Sequence, residues 1–231
     1  MGDILRRKYK LILIITISVI LAYFIYVFNI EDKIYLVSLG DGVASGETAY
    51  NIDGISYNDY LKEYFNSKKL LKDYNNTFAK KNYKLEEIIM DIDKNILDKK
   101  NELYIKQILH KGSIITLSIG EDELTKLSIT NDLNEEYIKE FINNYDKLIS
   151  KIKNVSEAKI IIVGLYENNY LDKSRVIVIN SEIANIAKKH NVIFINVADL
   201  LLDKEYYLNK NSYYFSYKGH ECIAEIIIHS I

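Results

Sequence analysis

From Lys33 to the C-terminus the chain alternates short runs of β-branched and apolar residues with longer amphipathic stretches, and this rhythm constrains the fold more than any single residue does. The short runs are Ile34 to Leu39, Leu70 to Tyr74, Ser113 to Ile119, Lys159 to Leu165 and Val192 to Val197. Most of them end at Gly, Asn or Asp, as strands do when they run into turns. Between them, Tyr57 to Phe65, Leu85 to Leu109, Asn134 to Ile152 and Arg175 to His190 repeat apolar residues at spacings of three and four, which predicts helices, and Tyr217 to Ile228 closes the chain in the same way.

Strands that alternate with helices are joined by right-handed crossovers, which set the strands parallel and cover both faces of the sheet. The expected fold is therefore α/β, a flavodoxin-like three-layer α/β/α sandwich with a five-stranded parallel sheet. No linker or repeat interrupts residues 33–231, which read as one domain. In such folds the reactive groups sit on loops beyond the carboxyl ends of the strands.

Ahead of that domain, Leu11 to Phe28 runs 18 residues without a charge. Arg6, Arg7, Lys8 and Lys10 precede it, and Glu31 and Asp32 follow. The length suits one transmembrane helix, and the cationic flank belongs on the cytoplasmic side. The resulting organisation is a basic cytoplasmic tail over 1–10, a transmembrane signal anchor over 11–29 and an extracytoplasmic domain over 33–231 at the cell membrane. A cleaved signal peptide fits less well, because the apolar run exceeds an h-region of roughly 7 to 15 residues and no small-x-small site follows.

The formal net charge of −2 provides no general attraction to nucleic acid, so nucleic-acid binding is not expected. Cys222 is the single cysteine, which leaves no intramolecular disulfide and no multi-cysteine metal site. Its apolar setting, HECIAEIII, predicts a buried structural thiol. Neither a cofactor nor a metal is expected.

The loop after the first strand reads Gly40-Asp41-Gly42-Val43-Ala44-Ser45-Gly46. With the strand LVSL before it, this resembles the nucleophile block of the SGNH/GDSL hydrolases, G-D-S-x-x-x-G, in spacing and in both outer glycines. Gly42 stands at the serine and offers a backbone N–H but no nucleophile. Asp41 reads as a loop cap, and Ser45 lies three residues on in the first turn of the next helix. The stretch Thr77 to Lys84 resembles the second block, with Asn82 at a glycine whose N–H lines the oxyanion hole. Asn tolerates positive φ, so the turn can persist. Ile115 to Leu124 resembles the third block, G-x-N-D, with Asp122 in place of an asparagine that would donate to the oxyanion; losing one such donor costs roughly 3 to 4 kcal/mol. Glu121 and Glu123 flank Asp122, so the loop reads either as a solvated acidic turn or as a cation or amine site shared with Asp41. At the final block, D-x-x-H, Asn211 replaces the aspartate and Tyr214 the histidine; a phenol is a poor general base at neutral pH. His220 lies six residues further on and is an alternative base, whereas His110, His190 and His229 read as peripheral.

The resemblance covers nearly all of the chain after residue 32 and implies a degenerate member of the family without its catalytic set. The residues expected at a remaining binding site are Asp41, Gly42, Glu121, Asp122, Tyr213 and Tyr214. Tyr206, Tyr207, Tyr213, Tyr214 and Tyr217 crowd this loop, either filling the emptied cleft or offering a platform to a glycan or peptide. The expected function is a membrane-anchored pseudoenzyme that binds an envelope glycan or another membrane protein. The alternative is an active esterase or acylhydrolase that uses a non-standard set such as Ser45 and His220.

Overall fold

The structure is a computed structural model and describes residues 8, 13–21, 33–48, 54–198, 204–208 and 214–231. Two compact units are present, residues 1–33 and residues 34–231. In the first, residues 13–21 are helical. Most of the expected membrane segment 11–29 lies outside the described residues, and among those described no helix is long and apolar enough to cross a membrane.

The second unit is built on a parallel five-stranded sheet. Its strands are β1 (Ile34–Gly40), β2 (Leu71–Ala79), β5 (Ile114–Ser118), β6 (Lys159–Val163) and β7 (Ile193–Ile195), arranged in the order β2-β1-β5-β6-β7. Each strand feeds alternate residues to two cores, as a period of two dictates. Tyr35, Val37, Leu39, Ile115, Leu117, Ile160 and Ile162 face one core. The helices α3 (Leu85–Lys94), α4 (Ile105–Lys111), α5 (Glu121–Ile129), α6 (Glu135–Lys153) and α7 (Lys173–His190) cover that face. Leu36, Ile161 and Val163 face the other, under α2 (Tyr57–Ser67) and α8 (Tyr217–Ser230). The fold is the expected three-layer α/β arrangement.

Helix α2 is fixed at both levels of its sequence. Ser56 caps it in a reciprocal capping box with Asp59, and Tyr57, Leu61 and Phe65 are buried at helical spacing, with Leu61 and Phe65 each contributing roughly 1.5–3 kcal/mol of apolar burial. On the same face, Asn58 donates to Ser38 Oγ at 2.7 Å and accepts from Thr116 Oγ1 at 2.6 Å. This buried polar link registers α2 against β1 and β5 close to the loops that end those strands.

The structure departs from the expected elements in four places. The single helix expected over Leu85 to Leu109 is two helices, because Asn95 adopts a left-handed φ of 51° that caps α3. A hairpin of β3 (Leu97–Asp98) and β4 (Leu103–Tyr104) follows before α4. Its turn closes on Asp98, whose carboxylate accepts from Thr77 Oγ1 at 2.9 Å and Asn101 Nδ2 at 2.6 Å. Strand β2 extends to Ala79, beyond the expected Tyr74, since an edge strand with a solvated face carries polar residues that mask its period. Helix α5 replaces what reads in the sequence as an acidic turn. Cys222 is half-buried rather than buried, with its thiol pushed up by burial.

Candidate functional site

In the strand order β2-β1-β5-β6-β7, the connections from β1 and β2 leave to opposite sides, so a crevice opens at the carboxyl ends of β1 and β5. Gly40 ends β1 with φ 135° and lies so close to β5 that a Cβ there would overlap the Ser118 carbonyl. The chain then turns into the four-residue helix α1 (Gly42–Ser45), which Asp41 caps by accepting the Val43 N–H at 3.2 Å. The other Asp41 oxygen, Oδ2, accepts from the backbone N–H of Gly120 at 2.9 Å and of Asp122 at 3.3 Å. Asp41 is thus the loop cap expected of it. Burial, with Asp122 and Glu121 nearby, holds its carboxyl well above the usual carboxylate range.

Asp122 returns the contact. Its Oδ2 accepts from Gly42 N–H and from Asn82 N–H, both at 2.9 Å. Asn82 has φ 57°, the left-handed turn that its identity permits, and its side-chain oxygen accepts from Lys126 Nζ. Two backbone donors on separate loops therefore aim at one point, and the carboxylate of Asp122 occupies it.

The acidic triplet is not a solvated turn: Glu121, Asp122 and Glu123 are only 2%, 7% and 8% exposed. Each holds a different part of the surroundings. Glu121 accepts from Asn168 Nδ2 at 2.6 Å and from Tyr166 N–H at 3.4 Å, on the loop after β6. Glu123 accepts from Leu85 N–H at 3.3 Å, the first residue of α3, and from the Tyr137 hydroxyl. Burial pushes the Glu121 carboxyl up to about 8, although its hydrogen bonds pull the other way. These carboxylates are directed at backbone and amide N–H groups, and among the described residues no cluster of His, Cys, Asp or Glu could hold a metal ion. Both Asp41 oxygens and Asp122 Oδ2 are directed at backbone N–H groups.

The remaining cleft is a cavity of about 10 Å³, bounded among others by Gly42, Glu47, Asp122, Tyr214 and His220. The positions matched to the hydrolase motif thus come together: Gly42, Asn82 and Asp122 through shared hydrogen bonds, and Tyr214 at the same cavity. Asn211 and Tyr213 lie outside the described residues. Ser45 does not join them, since its hydroxyl donates to Gly42 O at 3.2 Å. His220 lines the cavity from the first turn of α8, with Nδ1 accepting the Tyr57 N–H at 3.2 Å. Burial lowers its pKa to about 4, so the ring is neutral at pH 7. His110, His190 and His229 bond on the periphery, to Val155 O, Asp146 and Glu225 O.

Glu47 carries no signal in the sequence, yet its carboxylate stands where a side chain on Gly42 would project. Gly46, at φ 79°, turns the chain back so that Glu47 N–H bonds Gly42 O at 2.8 Å. Of the clustered tyrosines, Tyr207 packs on Phe215 and Tyr166, with ring centroids 5.4 and 6.1 Å apart, while Tyr217 is exposed. Tyr166 and Phe215 approach to 4.2 Å. These aromatic rings fill the cleft more than they face solvent.

No family model matches the chain, and no curated protein matches it in sequence. Solved structures do match. A catalytic variant of an acetylxylan esterase from Geobacillus stearothermophilus superposes with TM-score 0.66 at 16% identity, covering 87% of this chain and 94% of that one. A lipase/acylhydrolase from Enterococcus faecalis gives 0.64 at 15% identity, over 85% and 94% of the two chains. A GDSL-like lipase from Parabacteroides merdae gives 0.63 at 12% identity, over 87% and 97%. The chain has the fold of the GDSL-type esterases and lipases. Within that GDSL-type fold, Gly42, Asn82 and Asp122 sit together at the carboxyl ends of β1, β2 and β5, with Asp122 in the first turn of α5.

Proposed function

We propose that residues 33–231 form a hydrolase-like domain that does not catalyse, held at the outer face of a membrane by residues 11–29, where it engages an envelope glycan or another membrane protein. The observation that carries the inactive reading is the position of the Asp122 carboxylate, which takes both Gly42 N–H and Asn82 N–H at 2.9 Å. Acyl transfer needs donors free to meet an oxyanion as it forms. Here the donors already serve a carboxylate, whose charge repels a second anion at that place. The chain also has no side chain at Gly42 to attack with. The membrane part of the reading rests on the uncharged run Leu11 to Phe28 and the basic residues before it.

Purified full-length protein is expected to hydrolyse p-nitrophenyl acetate and acetylated sugars no faster than a heat-killed sample, and to fractionate with membranes. Hydrolysis well above that background would overturn the inactive reading, and recovery of the intact chain in the soluble fraction would overturn the anchored one. Nothing favours Ser45 as a replacement nucleophile, because its hydroxyl is turned to the Gly42 carbonyl.

A further inference from the structure

At the end of the sheet opposite the cleft, where the strands begin, lysines gather along one rim. Ile34 N–H bonds Leu70 O at 2.7 Å, which sets the turn carrying Lys68 and Lys69 beside the start of β1. On the other flank of β1, Ser113 N–H bonds Tyr35 O and Lys159 N–H bonds Ser113 O, each at 2.9 Å. Lys111 at the end of α4 and Lys159 at the start of β6 therefore continue the rim. Lys153 Nζ donates to His190 O at 2.7 Å, which joins the end of α6 to the end of α7 with its Lys188 and Lys189. Every one of these lysines is exposed.

Acids are fewer there. Asp146 pairs with Lys189 and His190, each at 2.7 Å, and Glu157 stands in the turn before β6. Lys72 and Asp73, just inside β2, offset each other, and the connecting residues Glu31, Asp32 and Lys33 subtract a single charge. The rim stays net positive in a chain whose formal charge is −2, so the remainder is more acidic than the whole. Cations at helix ends complement the helix dipole, which accounts for Lys111, Lys153, Lys188 and Lys189. It does not account for Lys69 and Lys159, on a turn and a strand start. Lys69 has φ 60°, a conformation that Gly or Asn adopts more readily, so a cation is kept there against backbone preference.

We infer that this rim is a docking surface for the headgroup phosphates of anionic lipids, so that the domain rests on the bilayer by its strand starts and the cleft points away. Clustered lysines near an anionic bilayer are drawn to its surface potential, and the more acidic remainder of the domain is repelled by it. The chain enters the domain at Ile34, the first residue of β1, so an anchor over 11–29 is attached at the same end as the rim. β1 runs seven residues, which at about 3.3 Å per residue lifts the cleft roughly 20 Å above the rim. The inference rests on the anchored part of the proposed function and is independent of the inactive part.

Lysine acetylation of the purified full-length chain, read residue by residue by mass spectrometry, tests it in nanodiscs of phosphatidylcholine with and without phosphatidylglycerol. Lys111, Lys153 and Lys188 are expected to react about threefold or more slowly in the anionic nanodiscs, and to lose that protection at about 1 M NaCl, where the Debye length falls to about 3 Å. Lys84 and Lys218, in the first turns of α3 and α8 at the cleft end, are expected to react equally in both. Lys68→Gln, Lys111→Gln and Lys188→Gln combined are expected to remove about half or more of the protection at Lys153. Equal rates for the rim lysines in the two nanodiscs, protection at Lys84 and Lys218 instead, or undiminished protection of Lys153 in the combined variant overturns the inference. Retention of the chain in nanodiscs at the high salt reports the anchor separately. Retention without protection at low salt overturns only the docking, and protection at low salt of a chain that high salt releases overturns only the anchored reading.

Discussion

One oxygen of Asp122 accepts the backbone N–H of Gly42 and the backbone N–H of Asn82, each at 2.9 Å. Residues 40 and 80 positions apart in the chain are thereby tied to the first turn of α5. Asp122→Ala removes both bonds and leaves the buried Gly42 N–H unpaired, while the N–H of the exposed Asn82 can turn to water, which is expected to cost about 1–3 kcal/mol of stability. Asp122→Asn keeps an acceptor oxygen without the charge and is expected to lose about half as much. Chemical denaturation of both variants against the parent measures the difference. Equal stabilities for Asp122→Ala and the parent would contradict the assigned role.

Restoring the hydroxyl alone is not expected to restore hydrolysis. In Gly42→Ser the new Cβ meets the Glu47 carboxylate, which must swing away, and the donors at Gly42 and Asn82 remain committed to Asp122. His220, which lines the same cavity, already has Nδ1 engaged with the Tyr57 N–H. Gly42→Ser is therefore expected to match the parent's background rate on p-nitrophenyl acetate. A rate tenfold or more above it would mean that Asp122 leaves the donors readily.

Two buried groups give stability opposite slopes with pH. Glu121 has its folded pKa raised from 4.5 to about 8, so the folded chain keeps a proton that the unfolded chain releases. Its contribution is fully present below 4.5 and is lost as pH rises through 8. The raised carboxyl of Asp41 acts in the same direction. His220 is lowered from 6.5 to about 4; its contribution is present above 6.5 and is lost as pH falls through 4. Between 4.5 and 6.5 the two slopes oppose each other, and from 6.5 to 8 the carboxyls act alone. The melting temperature is therefore expected to fall as pH is raised from 6.5 to 8, with a shallower fall in Glu121→Gln.

Gly40→Ala tests the crevice itself. The position combines φ 135° with a Cβ path that runs into the Ser118 carbonyl, so the strands β1 and β5 would have to separate. The expected loss is about 3 kcal/mol or more, strain and lost pairing together. A melting temperature equal to the parent's would contradict the close approach.

The fold was legible because its carriers are local. β-branched runs, helical spacing and the glycines at 40, 46 and 120 announce themselves in the chain, and those glycines have positive φ. Gly42, Asn82 and Asp122 were also locatable, each by its distance from a recognisable strand. What Asp122 does was not, because three consecutive acidic residues look solvated until the loops after β1, β2 and β6 are folded over them. Glu47 was invisible for a related reason: only the left-handed turn at Gly46 brings it over Gly42. The break inside Leu85 to Leu109 depends on one Asn taking positive φ, which apolar spacing does not register. The run 11–29, most of it outside the described residues, remains a reading of hydropathy.

Glu121, Asp122 and Glu123 each hold a different neighbour: the loop after β6, the pair of loops after β1 and β2, and the start of α3. Three strand-end loops and one helix start thus hang on a single turn of α5, so none can open alone without pulling on the rest. The amide protons of Gly42 and Asn82 share one acceptor, so departure of the Asp122 carboxylate unpairs both at once.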